Sequence, residues 1–504
     1  MRSRLSTYFG GLRGGRAGEA AWVGVSKGVS MCLSLFIAMA LSRLMTPDDY
    51  GTYLQLLYVY GTLLVVFSLG LPGCYSYFLA RVKSAGEGRG VVTKLTRLCV
   101  GMGGVFALSL FLLSDQLASL LGNAALGPGL RVFSVVPLAM MPAVGVDGIM
   151  VTCRRSRQLA CYVCLSRLAT LLCVVVTAWA SGGDTGCVTV AFVAASVVSG
   201  AVGLWLSYSP FRGVTAVAGG LSYGEVMRFA MPVFYAGIYS FIISSSSQFF
   251  VSRYFGAGDF AVFSNGFREM PLAVIVTSAV GSVLLPELSR LALTDRDECI
   301  GVWCRSVYKS ASVVWPVAVF CIVYAPEIMA TLFGEGYRCG SVLFRLASLI
   351  CLVWIVPFFP LMTALGLSRN FAKVHLMTAI LLVALDCLAV SFFPSLTMIA
   401  AIAVTTRLGG ILLLFRSVSR HTEAALWRRL PLRDLARLLV ASGTSCVAGK
   451  GLIAITGITD APTALVAALA VAVMMYMVVG RWLGLEFRPL RGGEVPDNKI
   501  IAVR

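Results

Sequence analysis

The sequence predicts an all-α integral membrane protein with about 14 transmembrane helices. They form two six-helix lobes related by a pseudo-two-fold axis along the membrane normal, followed by two C-terminal helices. Three observations predict this. The 504 residues are 58% hydrophobic and only 13% charged, with a mean hydropathy of +0.87, whereas soluble domains carry about 25% charged residues. The apolar residues fall in runs of about 18 to 25, each long enough to cross a hydrocarbon layer about 30 Å thick. One polar stretch also returns: Ser42–Tyr53 reads SRLMTPDDYGTY, and Ser252–Phe263 reads SRYFGAGDFAVF.

In chain order, residues 1–19 are basic and lack an apolar core followed by a small-residue cleavage site. They are expected to be a retained cytoplasmic tail. Spans are expected at 20–44, 53–71, 98–114, 130–150, 159–180 and 187–208, forming an N-lobe over 20–208. A linker over 209–228 leads to spans at 229–251, 261–285, 307–325, 341–365, 374–393 and 397–415, a C-lobe over 229–415. A basic loop (416–437), spans at 438–455 and 462–479 within 438–480, and a tail (481–504) complete the chain. About 31 of the 41 Lys and Arg fall on one side of this arrangement, and basic loops mark the cytoplasmic side. Both termini are therefore expected inside.

The repeat reaches beyond its opening motif. In both copies Ser, Arg, Asp and an aromatic hold the same places: Ser42/Ser252, Arg43/Arg253, Asp49/Asp259 and Tyr50/Phe260. Each copy reads as a short polar turn between two apolar helices. Leu117–Gly122 (LASLLG) and Ile328–Gly334 (IMATLFG) recur at nearly the same offset. Six spans return the chain to its starting side, so the two units share one orientation, and a repeat of this kind in a transporter surrounds a central site.

The net charge of +18 is accounted for by the basic loops, and no basic stretch is joined to a stacking or groove-reading module, which excludes nucleic acid. The 15 cysteines lie mostly inside apolar runs, as at Cys32, Cys99 and Cys351, where they act as small packing residues. Cys161-Tyr-Val-Cys164 has no second cysteine pair, and the chain has two His, so no metal site and no cofactor are expected. Gly443–Gly451 (GTSCVAGKG) is one residue too long for a phosphate loop and lacks Ser or Thr after Lys450. No nucleophile–base constellation is visible, and the longest outer loop is too short for a catalytic domain, which argues against a glycan polymerase or ligase.

Leu44–Tyr53 (LMTPDDYGTY), Phe229–Ile238 (FAMPVFYAGI) and Phe333–Tyr337 (FGEGY), in this order on a fourteen-span frame, resemble the polysaccharide transporter family. This family holds the O-antigen and oligosaccharide flippases, within the multidrug/oligosaccharidyl-lipid/polysaccharide exporter superfamily. The second turn departs from the pattern, with Gly256-Ala-Gly258 in place of Thr-Pro-Asp. The resemblance implies a flippase, not an enzyme, in a bacterial cytoplasmic membrane. It would carry a polyprenyl-pyrophosphate-linked oligosaccharide by alternating access, its partners being that lipid, the membrane lipids, and the glycan polymerase and glycosyltransferases of the pathway. The alternatives are a lipid II or teichuronic-type flippase and a cation-coupled drug antiporter. The basic residues Lys27 and Arg268 disfavour the antiporter.

Intramembrane charges are costly and mark functional sites. Lys27 lies about 10 Å into the first span, on a stripe with Gly24, Ser30, Ser34 and Ala38. It suits either a cavity wall or a snorkelling interfacial lysine. Arg268 lies about 10 Å into the eighth span and is the leading phosphate or sugar contact, with an ion pair between lobes as the plainer reading. Tyr235, Tyr239, Ser244 and Gln248 on the seventh span present hydroxyls and rings for sugar, or serines for close helix packing. Arg43, Asp49, Arg253, Asp259 and Glu269 form a candidate outer gate, the alternative being a local salt bridge in each turn. Asp386 with Thr405 is a candidate ion-coupling site, against a structural Asp386–Arg407 pair.

Overall fold

The computed structural model describes residues 16–217, 221–268, 270–422, 426–456 and 461–484. Every regular element among them is helical. The first half contains α1 (Arg16–Leu44), α2 (Pro47–Ser68), α3 (Leu71–Leu79), α4 (Ala85–Leu112), α5 (Ser114–Leu120), α6 (Leu126–Phe133), α7 (Val135–Met140), α8 (Val146–Thr152), α9 (Ser156–Ala180) and α10 (Thr185–Tyr208). The second contains α11 (Tyr223–Tyr254), α12 (Ala257–Gly266), α13 (Pro271–Thr294), α14 (Arg296–Val323), α15 (Ala325–Phe333), α16 (Ser341–Trp354), α17 (Phe358–Ala364), α18 (Ser368–Phe392) and α19 (Leu396–His421). Then follow α20 (Leu426–Arg429), α21 (Leu432–Thr456) and α22 (Ala461–Trp482). Fourteen segments are long and apolar enough to cross a membrane.

The repeat is visible helix by helix. α4 and α14 each have 28 residues, α8 and α17 each have 7, and α9 and α18 each have 25. The fourth span is broken in the first half (α6 to α8), and its counterpart, the tenth, is broken in the second (α16, α17). Breaks leave backbone groups without helical partners, and these must be satisfied inside a membrane. In the second half two indoles do this. Trp303 Nε1 donates to Pro357 O at 3.2 Å, and Trp315 Nε1 donates to Leu352 O at 2.8 Å. Trp303 is fully buried against Phe358 and Phe415.

Three expectations are corrected. The turn in SRLMTPDDYGTY is only Met45–Thr46. Thr46 is the N-cap of α2, accepting from Asp49 N, with Pro47 at the first position and Asp48 and Asp49 in the first turn. A capping hydroxyl and first-turn carboxylates favour a helix start, so the second span begins at Pro47, before the expected Tyr53. The eighth span is not continuous: α12 ends at Gly266, and α13 begins at Pro271, past a non-helical stretch that holds Arg268. Proline lacks an N–H and suits a first helical position, so it restarts the helix there. The second span is followed by a break at Leu69 and Gly70, both with positive φ, before α3.

The second turn's departure from the pattern has a structural reason. Gly256 takes a φ of 91° and gives α12 no side-chain cap. Its capping acceptor comes from the other half, because Gly258 N donates to Asp48 Oδ1 at 3.0 Å. The two turns cross so closely that a Cβ on Gly51 would lie 1.8 Å from Ala257 O.

The halves are tied along both ends of the bundle. At the end carrying the turns (the turn end), Tyr50 Oη donates to Asn265 Oδ1 at 3.2 Å. At the end carrying the chain termini (the tail end), Tyr77 on α3 stacks on Phe229 of α11 at 3.9 Å, with Arg81 over the Tyr77 ring. The last two spans fasten to the second half, where Lys450 pairs with Glu327 at 3.0 Å and Tyr324 Oη donates to Cys446 O, and the loop before them is held by Arg429, which pairs with Asp297 at 2.6 Å.

Gly51→Ala is expected to destabilise the protein by ~1–3 kcal/mol or more, since the added methyl meets backbone that cannot yield. Gly61→Ala, on the same helix with open space around it, is expected to be neutral or stabilising by up to ~1 kcal/mol. Thermal melting of the two purified variants checks the difference.

Candidate functional site

At the turn end the repeated arginines do the same job in exchange. Arg43, at the end of α1, donates to Thr331 O in the last turn of α15. Arg253, in the last turn of α11, donates to Ser119 O in the last turn of α5 at 2.9 Å. Thr331 and Ser119 stand at equivalent places in the repeat. Each arginine thus caps the carbonyl end of a helix in the opposite half, where the helix dipole favours a cation. The expected gate residues are therefore gathered at the seam, with different wiring. Among the described residues, no ion pair joins either arginine to an aspartate of the turns. Asp49 instead accepts from Thr46 Oγ1 at 2.6 Å and from Thr185 Oγ1 at 3.0 Å. Partial burial, and after it the Asp48 carboxylate, pushes the Asp259 carboxyl above its usual range. Glu269 lies outside the described residues.

Behind these exposed arginines lies a buried amide chain. Gln55, fully buried, donates from Nε2 to Ser252 Oγ at 2.9 Å. Asn123 Nδ2 donates to Gln55 Oε1 at 2.7 Å and to Thr52 Oγ1 at 2.9 Å. A buried amide left unpaired costs about 1–3 kcal/mol, more than the ~0.3–1 kcal/mol of an exposed cation at a helix end. The amides are thus the stronger tie and the arginines the weaker one.

Deeper along the seam, a Cβ on Gly28 of α1 would lie 3.8 Å from Ile275 Cδ1 of α13. Lys27 is exposed beside this contact, and Arg268 precedes Ile275 by seven residues, outside α13. Arg268 occupies the break just before α13, close enough to act on the Tyr50 hydroxyl. Asp147 stands in the first turn of α8, just after the break in the fourth span. Asp147 was missed in the sequence, although an acid inside a membrane span is by itself a signal. Gln55, Asn123 and Asn265 carried a weaker one, as amides within apolar runs.

On α11, Tyr235 is exposed and Tyr239 and Gln248 are half-buried. The serine run divides: Ser244 is exposed and bonds Phe241 O, whereas Ser247 is buried and donates to Asp386 Oδ2 at 3.0 Å. Asp386 is fully buried. Arg407 donates to Ile243 O at 3.1 Å and lies over the Trp354 ring. Asp386 and Arg407 thus both hold α11 from α18 and α19. Thr405 is exposed, on the opposite groove between those helices, with its hydroxyl on Ala401 O and Ile402 O.

Residues 40–340, more than half of the chain, match the family described as polysaccharide biosynthesis protein. The chain belongs to that family. A relative, the succinoglycan biosynthesis transport protein ExoT of Rhizobium meliloti (strain 1021), is 24% identical over 322 residues. That alignment covers 63% of this chain and 63% of the relative, so the match spans less than two thirds of ExoT's length. Among solved structures, the chain is similar to the lipid II flippase MurJ in an inward closed conformation, with a TM-score of 0.69, 13% identity and coverage of 92% of this chain and 98% of that one. It is also similar to an outward-facing multidrug MATE transporter of the MOP superfamily, with a TM-score of 0.58, 14% identity and coverage of 82% and 98%. These likenesses show the fold. The chain is thus a multi-pass membrane protein of the polysaccharide biosynthesis protein family, with that fold.

Replacing both Arg43 and Arg253 by Ala is expected to favour opening of the turn end about fivefold, or ~1 kcal/mol, with the fold retained. Labelling of a cysteine placed at Ser252 by a water-soluble thiol reagent checks this. Asp259→Asn tests the like-charge turn. A raised carboxyl pKa in the fold contributes stability below its ordinary value of about 4, lost as the pH rises through the raised value. The variant is therefore expected to gain under ~1 kcal/mol at pH 7 and nothing in acid, read by melting across pH.

Proposed function

We propose that this protein is a flippase that moves a polyprenyl-pyrophosphate-linked oligosaccharide across the bacterial cytoplasmic membrane, with both termini on the cytoplasmic side. The observation that carries the reading is the pair of cations on the α1/α13 seam. Lys27 adjoins the contact of Gly28 with Ile275, and Arg268 stands in the break that precedes α13.

Three further features support it. Arg268 lies at a break in a span, with the N-terminal end of α13 beginning three residues later. Broken spans of transporters aim such ends at anionic substrate groups. Tyr235, Tyr239, Ser244 and Gln248 add rings and polar groups on α11 for the saccharide. The relative ExoT is by name a transport protein of succinoglycan biosynthesis, a pathway that builds a polysaccharide.

The mechanism that follows is alternating access. The headgroup enters between the halves at the tail end, where Lys27 is exposed, and its phosphates draw on Lys27 and Arg268 in turn. The turn end then opens as the arginine caps release, while the lipid tail stays in the bilayer. No bond is made or broken, so the work lies in moving a charged headgroup past an apolar layer. A cation at its phosphate lowers that barrier.

The test is a leaflet assay in proteoliposomes with a short polyprenyl-pyrophosphate oligosaccharide. Arg268→Ala and Lys27→Ala are each expected to slow flipping tenfold or more, about 1.4 kcal/mol, with melting temperature unchanged. Flipping at wild-type rate in both variants would sink the cation reading. Absence of flipping by the wild type would count against this substrate class.

A further inference from the structure

The groove between α18 and α19 lies away from the seam and has no part in the reading above. It encloses about 790 Å³. Met377, Leu381 and Leu385 form one wall, at helical spacing along α18, and Thr405, Gly409 and Leu413 lie along the other. The threonine hydroxyls do not make it polar. Thr378, Thr405 and Thr406 each bond a carbonyl one turn back on their own helix. The floor is tight at Gly410, where a Cβ would meet Thr378 Oγ1 at 2.7 Å, and open at Gly409, where nothing lies within 4 Å.

The tail end of the groove is cationic. Arg416 lines it. Lys373 stands one turn beyond Met377 on the same face of α18. The pairing of Asn370 Nδ2 with Ser417 Oγ at 3.3 Å brings the two helix ends level there. Arg416 and Lys373 are exposed and make no ion pair among the described residues. The apolar part, from Thr405 to Arg416, is about 16 Å long at 1.5 Å per residue. One leaflet of a hydrocarbon layer about 30 Å thick has the same depth.

We propose that this groove is a binding site for an anionic phospholipid of the tail-end leaflet. One acyl chain lies along Met377, Leu381 and Gly409, and its phosphate is held by Arg416 and Lys373. The occupant follows from the dimensions and the charge. The groove is one leaflet deep, which suits an acyl chain ending at the midplane. Cations stand where a lipid's phosphate would sit, and each such cation near a membrane surface adds affinity for anionic lipid.

The experiment is native mass spectrometry of the full chain extracted from vesicles of phosphatidylcholine and phosphatidylglycerol in equal parts. The wild type is expected to retain one phosphatidylglycerol in preference to phosphatidylcholine. The double variant Lys373→Gln with Arg416→Gln is expected to hold it about 30-fold more weakly. Gly409→Leu, which fills the open floor and leaves both cations, is expected to lose it as well. Equal retention of the two lipids by the wild type, or retention that survives either variant, would overturn the proposal. A second measurement is independent of the filled groove: in Met377→Trp, brominated phosphatidylglycerol is expected to quench the added indole more than brominated phosphatidylcholine does. Equal quenching would likewise overturn it.

Discussion

The two repeated turns meet at backbone distance because Gly51 presents no Cβ to Ala257 O, and much of the molecule depends on that contact. With the turns crossed, Asp48 reaches Gly258 N and supplies the cap that α12 lacks. The arginine that ends each leading helix then falls beside the last turn of a helix in the other half. Ser252 comes within reach of Gln55. A methyl at position 51 would hold the turns apart and loosen all of these at once.

The ties at this end differ in strength, and the difference suits a moving part. The Gln55–Asn123–Ser252 chain is buried, where an unpaired amide is expensive. The arginine caps are exposed to water, where a cation at a helix end contributes little. At the tail end the Tyr77–Phe229 stack closes one side of the seam, while Lys27 on α1 remains exposed on the other. The halves are thus tied at both ends, by the amides and arginines at the turn end and by the Tyr77–Phe229 stack at the tail end.

Charges within the spans divide by their surroundings. Asp386 is fully buried and bonded to Ser247, and Arg407 is engaged by the α11 backbone and Trp354. Both fasten α11 to the rest of its half. Lys27, Asp147 and Arg268 lie instead by the seam or at breaks in spans. Residue type alone did not separate the two groups, since each is an ionisable side chain in an apolar run.

Apolar run length and the repeated SR–D–aromatic pattern were enough, by themselves, to determine the fourteen-span all-helical class and the twofold construction. Both are local properties: a membrane admits helices of a set length, and a duplicated segment repeats its own spacing. The helix breaks were partly legible, as prolines at 271 and 357 within hydrophobic stretches. Only the tertiary structure decided the wiring of the turn end. The partners of Arg43 and Arg253 are backbone carbonyls of residues 331 and 119, and a carbonyl is present at every position, so no side-chain pattern marks it. Asp48 likewise stands in the first turn of its own helix, and its bond to Gly258 exists only because the two halves fold together. Pairings between segments about 200 residues apart are set by how the halves pack, a property of the whole chain that no window of sequence contains.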